Sequence, residues 1–171
     1  GCVSTGKEAN VYHAVSSAEK KEYAIKIYKT SILIFKDRDR YVEGEFRFRK
    51  GHCKSNPRKM VKLWAEKEFR NLKRINTAGI KAPLPLILKS NVLVMSFIGH
   101  NYKAAPRLKD AELTPECYAN AYLEILKIMR RMFHECRLIH ADLSEYNLLW
   151  YEEQIYIIDV YYKKTKPVLC V

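Results

Sequence analysis

The segment between Leu138 and Asp159 constrains the fold of this chain more than any other feature of the sequence. It contains His140, Asp142 and Asn147 in the spacing H-x-D-x-x-x-x-N, and Asp159 ends an apolar run twelve residues after the asparagine. The short apolar runs on either side of the motif predict strands joined by a loop. A carboxylate, an amide oxygen and a second carboxylate on such a loop are typical of sites that combine a proton acceptor with a Mg²⁺ ion.

A lysine inside a predicted strand is the second informative feature. Residues 10–15 and 22–28 alternate apolar and polar side chains around a polar turn, which predicts a β-hairpin. Lys26 lies in the second strand, and its burial would require an anionic partner. The natural partner is Glu68, on the otherwise apolar face of the next predicted helix, whereas Glu66 lies about 160° around that helix. An outward-facing lysine on a half-exposed sheet is the alternative.

The periodicity of the middle of the chain predicts a helix followed by two strands. Pro57 suits the first helical position, Asn56 suits the N-cap and Gly79 marks the end of the helix. The predicted helix buries a stripe of Met60, Val61, Trp64, Glu68, Leu72 and Ile75. Two apolar runs at 83–88 and 91–99 then predict strands.

The last third of the chain predicts a loop, a second long helix and short strands. Residues 100–113 form the loop, and Thr114 precedes the helix. The predicted core face of that helix holds Tyr118, Tyr122, Ile125, Met129, Met132 and Phe133. Runs at 147–151 and 154–159 predict a closing hairpin. This order of elements predicts the mixed α+β class.

The N-terminal residues contain a glycine-rich turn. The sequence GCVSTGKE nearly matches the P-loop pattern G-x-x-x-x-G-K-[ST], but Glu8 stands where that pattern needs a hydroxyl. A strand is also predicted where the P-loop needs a helix, so that interpretation fails. A small polar turn between two strands remains, whose backbone N–H groups could cover phosphates.

The positive charge of the chain is concentrated in one segment. Residues 20–81 hold 19 Lys and Arg against 7 Asp and Glu, so the whole net charge of +12 lies there. A basic segment attracts phosphate, which makes ATP, RNA or a ribonucleoprotein the expected partners. A solvated lysine-rich face is the alternative.

Composition argues against several other classes. The five cysteines are scattered without a C-x-x-C pair, which predicts reduced thiols in the cytosol or nucleus. His134, Cys136 and His140 match no familiar zinc motif. No apolar run reaches the roughly 18 residues of a membrane span, and no signal-like run follows Gly1, so we expect no membrane partner.

Taken together, these motifs resemble the RIO family of atypical protein kinases. The matching segments are residues 4–12, 24–29, 38–51, 56–72, 92–99 and 140–147. The first RIO subfamily fits best, whereas residues 133–136 and 148–150 resemble the third. Ala141 replaces the arginine that most protein kinases have in the H-R-D motif.

The resemblance implies a protein-kinase-like fold. Residues 1–99 would form an N-lobe and hinge, with an antiparallel sheet and one long helix. Residues 100–160 would form an incomplete C-lobe, and residues 161–171 a divergent tail. We expect the helices that support the catalytic loop in this family to be absent from this chain.

The resemblance also assigns roles to individual residues. It implies that Asp142 is the catalytic base, that Asn147 and Asp159 bind Mg²⁺, and that Asp159 accepts phosphate as an aspartyl-phosphate. Lys26, paired with Glu68, would hold the phosphates of ATP. The other residues implied to bind ATP are Ser4, Thr5, Gly6, Lys7, Glu8 and Val11 in the turn, Ala24 under the adenine, the gatekeeper Met95, and the hinge residues Ser96 and Ile98.

The function implied is that of a cytoplasmic, Mg²⁺- and ATP-dependent serine/threonine kinase or ATPase in small ribosomal subunit maturation. Its partners would be the RNA and protein of the subunit precursor, together with a protein substrate. A nucleotide-dependent binding module for pre-ribosomal RNA with little turnover is the alternative. A small-molecule phosphotransferase is disfavoured because no acidic pocket for a cationic substrate is evident.

The long segment 31–56 interleaves aromatic and basic side chains without clear periodicity. It exceeds the roughly 12–15 residues beyond which loops are usually functional or disordered. Contact with a partner, a flap over the nucleotide and a loop without a role are three open interpretations. We expect replacement of Arg47, Arg49 and Lys50 by alanine to weaken binding to the pre-ribosomal particle while ATP affinity stays within about threefold.

Overall fold

An antiparallel sheet of five strands forms the first part of the computed structural model, which describes residues 1–30, 57–160 and 162–164. Its strands are β1 (Cys2–Thr5), β2 (Ala9–Val15), β3 (Glu22–Tyr28), β4 (Pro85–Lys89) and β5 (Val92–Ser96), in the order β1-β2-β3-β5-β4. The predicted hairpin is β2–β3, in which Val11 pairs with Lys26. Strand β3 also pairs with β5, which places Ala24 beside Met95 at the centre of the sheet.

Helix α1 (Pro57–Thr77) contacts β4 and β5 of this sheet. It begins at Pro57, as predicted, whereas Asn56 lies outside the described residues. Gly79 follows the helix with a φ of +70°, a left-handed backbone that glycine adopts without strain. The predicted buried stripe is confirmed, because Met60, Val61, Trp64, Glu68, Leu72 and Ile75 are all buried.

The second part of the chain combines one helix with short paired strands. Helix α2 (Pro115–His134) begins after Thr114, whose hydroxyl accepts a hydrogen bond from the Cys117 N–H at 3.2 Å. The strands are β6 (Gly99–His100), β7 (Lys103–Ala104), β8 (Leu138–His140), β9 (Leu148–Tyr151), β10 (Gln154–Ile157) and β11 (Tyr162–Lys164). They form the pairs β6–β7, β8–β11 and β9–β10.

The prediction of an unbroken loop over residues 100–113 is wrong. The β6–β7 hairpin closes through Asn101 and Tyr102, which both have positive φ, and Leu108–Asp110 form a 3-10 turn. Strands of two residues have no measurable period, so the sequence pattern could not indicate them. The α+β class itself is confirmed.

The predicted core face of α2 is wrong in part. Met132 is buried, but Tyr118, Tyr122 and Met129 are exposed, Tyr122 to 63% of its surface. The helix instead buries a stripe with Ala121 and Ile128. Apolar side chains cover more than one face of α2, and the helix contacts β8 and β10. Spacing alone could not decide between the two faces.

Among the described residues, no helix is both long enough and apolar enough to span a bilayer.

Candidate active site

A cavity of about 400 Å³ lies between the five-stranded sheet and the paired strands of the second part. On the sheet side its apolar wall includes Val11, Ala24 and Met95, and on the opposite side Leu149 and Ile158. A volume in this range and apolar walls with a few polar groups are typical of sites for small ligands.

A buried ion pair lies at the inner end of this cavity. Lys26 is only 3% exposed and Glu68 only 2%. The Lys26 ammonium donates to both carboxylate oxygens of Glu68, at 2.8 and 2.9 Å, and the Tyr28 hydroxyl donates to Glu68 as well. The predicted pairing of Lys26 with Glu68 is therefore confirmed, while Glu66 is half-buried elsewhere on α1.

Lys26 remains charged in this buried position. Burial by itself would lower the pKa of the ammonium, but the carboxylates of Asp159 and Glu68 outweigh burial and raise the pKa well above 10.5. The structure thus supplies a fixed positive charge at the bottom of the cavity, where an anionic ligand can reach it.

Asp159 joins this cluster from the second part of the chain. Its carboxylate accepts a hydrogen bond from the Lys26 ammonium, and its side chain is 38% exposed to the cavity. Burial opposes ionisation, but the charges of Lys26 and Arg107 and the hydrogen bond from Lys26 outweigh it and lower the pKa of the carboxyl below 3.8. Asp159 has a φ of +56°, a left-handed backbone that aspartate tolerates better than most residues.

The lowered pKa of Asp159 predicts a loss of stability in acid. A carboxyl whose pKa is lower in the folded state than in the unfolded state stabilises the fold at any pH above the unfolded-state pKa, here about 3.8. This contribution disappears as the pH falls through the folded-state pKa. We expect the difference in unfolding free energy between the wild type and Asp159→Asn to shrink between pH 6 and about pH 3. Urea denaturation at several pH values measures it, with the exposed Asp110→Asn as the control. A difference that stays constant over this range would contradict the assignment.

His140 fixes the loop that carries the H-x-D-x-x-x-x-N motif. Its ring is buried, with Nε2 3.0 Å from the carbonyl oxygen of Ile158 and Nδ1 3.3 Å from the backbone nitrogen of Asp142. Since a carbonyl can only accept and a backbone N–H can only donate, Nε2 donates to the Ile158 carbonyl and Nδ1 accepts from the Asp142 N–H. His140 thereby ties Asp142 to the backbone just before Asp159.

Asn147 holds Asp142 in place within the same loop. Its amide nitrogen donates to the backbone oxygen of Asp142 at 2.8 Å and to the carboxylate at 3.1 Å. The backbone oxygen of Asn147 accepts from Ile158 N at 3.0 Å, which joins the loop to the strand end before Asp159. These bonds leave the side-chain oxygen of Asn147 and one carboxylate oxygen of Asp142 for a ligand.

The oxygen atoms of Asn147 and Asp159 fit a magnesium ion. Within the described ranges, no three His, Cys, Asp or Glu side chains lie together as a metal site. Mg²⁺ is commonly held by one or two protein oxygens, with water and substrate phosphates as the other ligands. The donors present here match that requirement.

The turn at Gly6 lies next to the cavity. Gly6 N donates to Ala9 O at 2.9 Å, and Lys29 Nζ donates to Gly6 O at 2.7 Å. A Cβ atom at Gly6 would lie 3.1 Å from Ala9 O, so the tight turn favours glycine. Ser4 and Val11 line the cavity, whereas Thr5, Gly6, Lys7 and Glu8 do not.

The segment after β5 offers backbone groups to a ligand. Ser96 and Ile98 both line the cavity beside Met95. The Ile98 carbonyl accepts from Ala105 N at 3.0 Å, and the Ile98 N–H has no protein acceptor within the part of the chain that is described. This N–H is therefore available to an acceptor atom of a planar base.

Most of the residues predicted for the site come together. Ser4, Val11, Ala24, Lys26, Glu68, Met95, Ser96, Ile98 and Asp159 line the cavity, and Asp142 and Asn147 lie on the adjoining loop. Several other residues that line the cavity are not predictable from the sequence pattern, among them Phe97, Arg107 and Leu149. Leu149 stood in a predicted strand whose orientation the sequence leaves open, and Arg107 stood in a stretch without any period.

Comparison with known proteins identifies the family. The sequence profile of the RIO domain matches residues 10–163. The serine/threonine-protein kinase rio1 of Dictyostelium discoideum is 66% identical over 94% of this chain and 28% of that protein. The human serine/threonine-protein kinase RIO1 is 62% identical over 94% of this chain and 28% of the human protein. The serine/threonine-protein kinase RIO1 of Saccharomyces cerevisiae is 51% identical over 94% of this chain and 38% of the yeast protein. The chain thus spans about a third of the length of these relatives.

Solved structures agree on the fold. The Rio2 kinase of Chaetomium thermophilum in an ADP/Mg²⁺-phosphoaspartate complex has a TM-score of 0.66 at 23% identity, over 92% of this chain and 45% of that one. Another structure of this kinase has a TM-score of 0.65 at 22% identity, over 91% and 46%. The chain therefore belongs to the RIO domain family and has its protein-kinase-like fold.

Proposed function

We propose that this chain is the ATP-binding part of a RIO-type serine/threonine protein kinase or ATPase. The observation that carries the proposal is the cluster of Lys26, Glu68 and Asp159 at the inner end of an apolar cavity. Such a cluster places a buried cation and an ionised carboxylate where the phosphates of a nucleotide would lie. The names of the RIO1 relatives support the same activity.

The walls of the cavity fit the two ends of ATP. The apolar wall around Ala24 and Met95 would hold the adenine, and the Ile98 N–H would donate to a ring nitrogen. Lys26 would bind the phosphates, with Glu68 keeping its ammonium in position. Asn147 and Asp159 would hold Mg²⁺, which neutralises phosphate charge when bound.

Asp142 would accept the proton of the attacking group. Its carboxylate is oriented by Asn147 and by the bond from its own N–H to His140. In a kinase reaction that group is a serine or threonine hydroxyl, and in an ATPase reaction it is water. Proton transfer of this kind contributes about 10²–10⁴ to the rate.

Asp159 would itself receive the phosphate in an ATPase cycle. One carboxylate oxygen would attack the γ-phosphorus, the bond to the bridging oxygen would break and ADP would leave. Water would then hydrolyse the aspartyl-phosphate to inorganic phosphate. Asp159 is ionised and reaches the cavity, which supports this route.

A test of this route uses ATP labelled in the γ-phosphate. We expect the wild-type protein to become labelled, and hydroxylamine to remove the label, because it cleaves acyl phosphates. Asp159→Asn should carry no label. Asp110→Asn is the matched control, because Asp110 lines the same cavity but pairs with Lys109. Label that persists in Asp159→Asn would exclude Asp159 as the acceptor.

The proposed function as a whole is tested by ATP binding and phosphate release. Calorimetry on this chain measures binding, and a phosphate-release assay compares it with a longer chain that carries a complete C-terminal lobe. We expect both chains to bind ATP. If neither chain binds ATP, the proposed function is wrong.

The solvent face of α1 supports a second candidate, a binding module for pre-ribosomal RNA in the cytoplasm. Its exposed or half-buried basic residues are Arg58, Lys59, Lys62, Lys67, Arg70, Lys73 and Arg74. Over 21 residues the helix is about 31 Å long, so this face presents a row of positive charge. Such rows bind the phosphate backbone of nucleic acids. The loop 31–56, for which contact with such a partner is one of three open interpretations, lies outside the described residues.

Salt dependence distinguishes the second candidate from the first. If α1 binds RNA, affinity should fall steeply as the salt concentration rises, and Arg58→Ala/Lys62→Ala/Lys73→Ala should make that slope shallower. RNA binding of this kind without any ATP hydrolysis in the longer chain would favour the binding module. A salt slope that is the same in the triple variant would exclude this face of α1.

A further inference from the structure

We propose that Arg107 is a phosphate-binding residue of the cavity and contacts the phosphate groups of the nucleotide from the wall opposite the glycine-rich turn. This assignment rests on the proposed nucleotide function. Arg107 lies within residues 100–113, where the sequence pattern predicts only a loop.

The backbone at Arg107 is held firmly. Arg107 forms a β-bridge with Leu149 of β9, and Trp150 N donates to Pro106 O at 3.0 Å. Leu149 is also part of the apolar wall of the cavity. The guanidinium group therefore starts from a fixed point at the rim of the site.

The side chain of Arg107 reaches from this rim to the other wall. Its Nη2 donates to Ser4 Oγ of β1 at 3.3 Å. Ser4 stands just before the turn at Gly6, so the guanidinium lies between the glycine-rich turn and the second part of the chain. A ligand that enters between these two walls passes the guanidinium group.

The hydrogen-bonding capacity of Arg107 is largely unused. A guanidinium has five N–H donors, and within the described residues Arg107 makes this one side-chain hydrogen bond and no salt bridge. The two lysines that line the cavity are both paired. Lys26 pairs with Glu68 and Asp159, and Lys109 pairs with Asp110. Half-buried Arg107 is therefore the lining cation that can pair with an added anion.

The position of Arg107 indicates a contact with the phosphates of the nucleotide and not with its base. Its guanidinium binds Ser4, two residues before the turn at Gly6, so it lies on the side of the cavity where the backbone of that turn would cover phosphates. Arginine binds phosphate through paired N–H donors, and such charge-assisted bonds are about twice as strong as neutral ones. Exchange of the long bond to Ser4 for bonds to phosphate is therefore favourable.

The test compares ATP with adenosine, which lacks phosphate. Calorimetry is done on the wild type, Arg107→Leu and Arg107→Lys, with Arg130→Leu as a control that removes an exposed arginine on α2. We expect Arg107→Leu to bind ATP about tenfold or more weakly, while its adenosine affinity stays within about twofold. Arg107→Lys should retain part of the ATP affinity, and Arg130→Leu all of it.

Each other result overturns the assignment in a different way. Unchanged ATP affinity in Arg107→Leu would exclude a phosphate contact and leave the proposed function intact. An equal loss of ATP and adenosine affinity would mean that Arg107 only maintains the shape of the cavity. If the wild type binds adenosine and ATP equally well, no residue of the cavity contributes affinity through the phosphates, and the assignment is wrong. If the wild type binds neither ligand, the proposed function is wrong as well.

Discussion

Replacement of Lys26 by methionine should lower the free energy of unfolding by about 3–5 kcal/mol, because it leaves a buried carboxylate without its counter-ion. Glu68 is 2% exposed and would keep only the Tyr28 hydroxyl as a donor among the contacts described above. The same substitution should weaken ATP binding about 10- to 150-fold, the value of a hydrogen bond to a charged group. Urea denaturation and calorimetry measure the two effects separately.

A double variant separates stability from ligand binding at this pair. In Lys26→Met/Glu68→Leu both charges are gone, and a buried ion pair can be replaced by apolar side chains at little cost. We expect the double variant to regain most of the lost stability and none of the ATP affinity. Lys89→Met is the matched control, since Lys89 is an exposed lysine on β4 of the same sheet. If Lys26→Met unfolds at the same urea concentration as the wild type, the pair contributes nothing to the fold.

The Lys26–Glu68 pair shows which parts of a site the sequence can predict. A lysine inside a strand and a glutamate on an apolar helical stripe are each unfavourable when buried alone. Burial of both becomes favourable when they pair with each other. Two residues that each conflict with their local pattern therefore predict one contact between positions 42 residues apart. The periodic elements β2, β3, α1 and β5 were predictable for a similar reason, because each carries a clear pattern over at least five residues.

The missed features depend on tertiary contacts that leave no local pattern. The orientation of α2 is set by its contacts with β8 and β10, and Tyr122 would fit a buried face equally well by spacing. Arg107 lies in a stretch without periodicity. Its position is set by the bridge to Leu149, 42 residues later in the chain. Ser4, its hydrogen-bond partner, is 103 residues away, so no sequence window contains both.

The proposed catalytic role of Asp142 depends on geometry that the structure provides within one loop. Asn147 donates to its carboxylate at 3.1 Å, and His140 accepts from its N–H at 3.3 Å. The side chain is thereby oriented while one carboxylate oxygen stays open to a proton. An asparagine at this position keeps the size of the side chain and an oxygen acceptor for Asn147, but it cannot take up a proton at neutral pH.

We therefore expect Asp142→Asn, in the longer chain with a complete C-terminal lobe, to lower kcat by about 10²–10⁴ while ATP affinity stays within about threefold. Steady-state turnover and calorimetry on the same preparations measure the two quantities. Glu145→Gln is the matched control, because it removes an exposed carboxylate three residues further along the same loop and should leave kcat unchanged. A fall in ATP affinity without a fall in kcat would make Asp142 a binding residue. Wild-type turnover in Asp142→Asn would mean that another group accepts the proton.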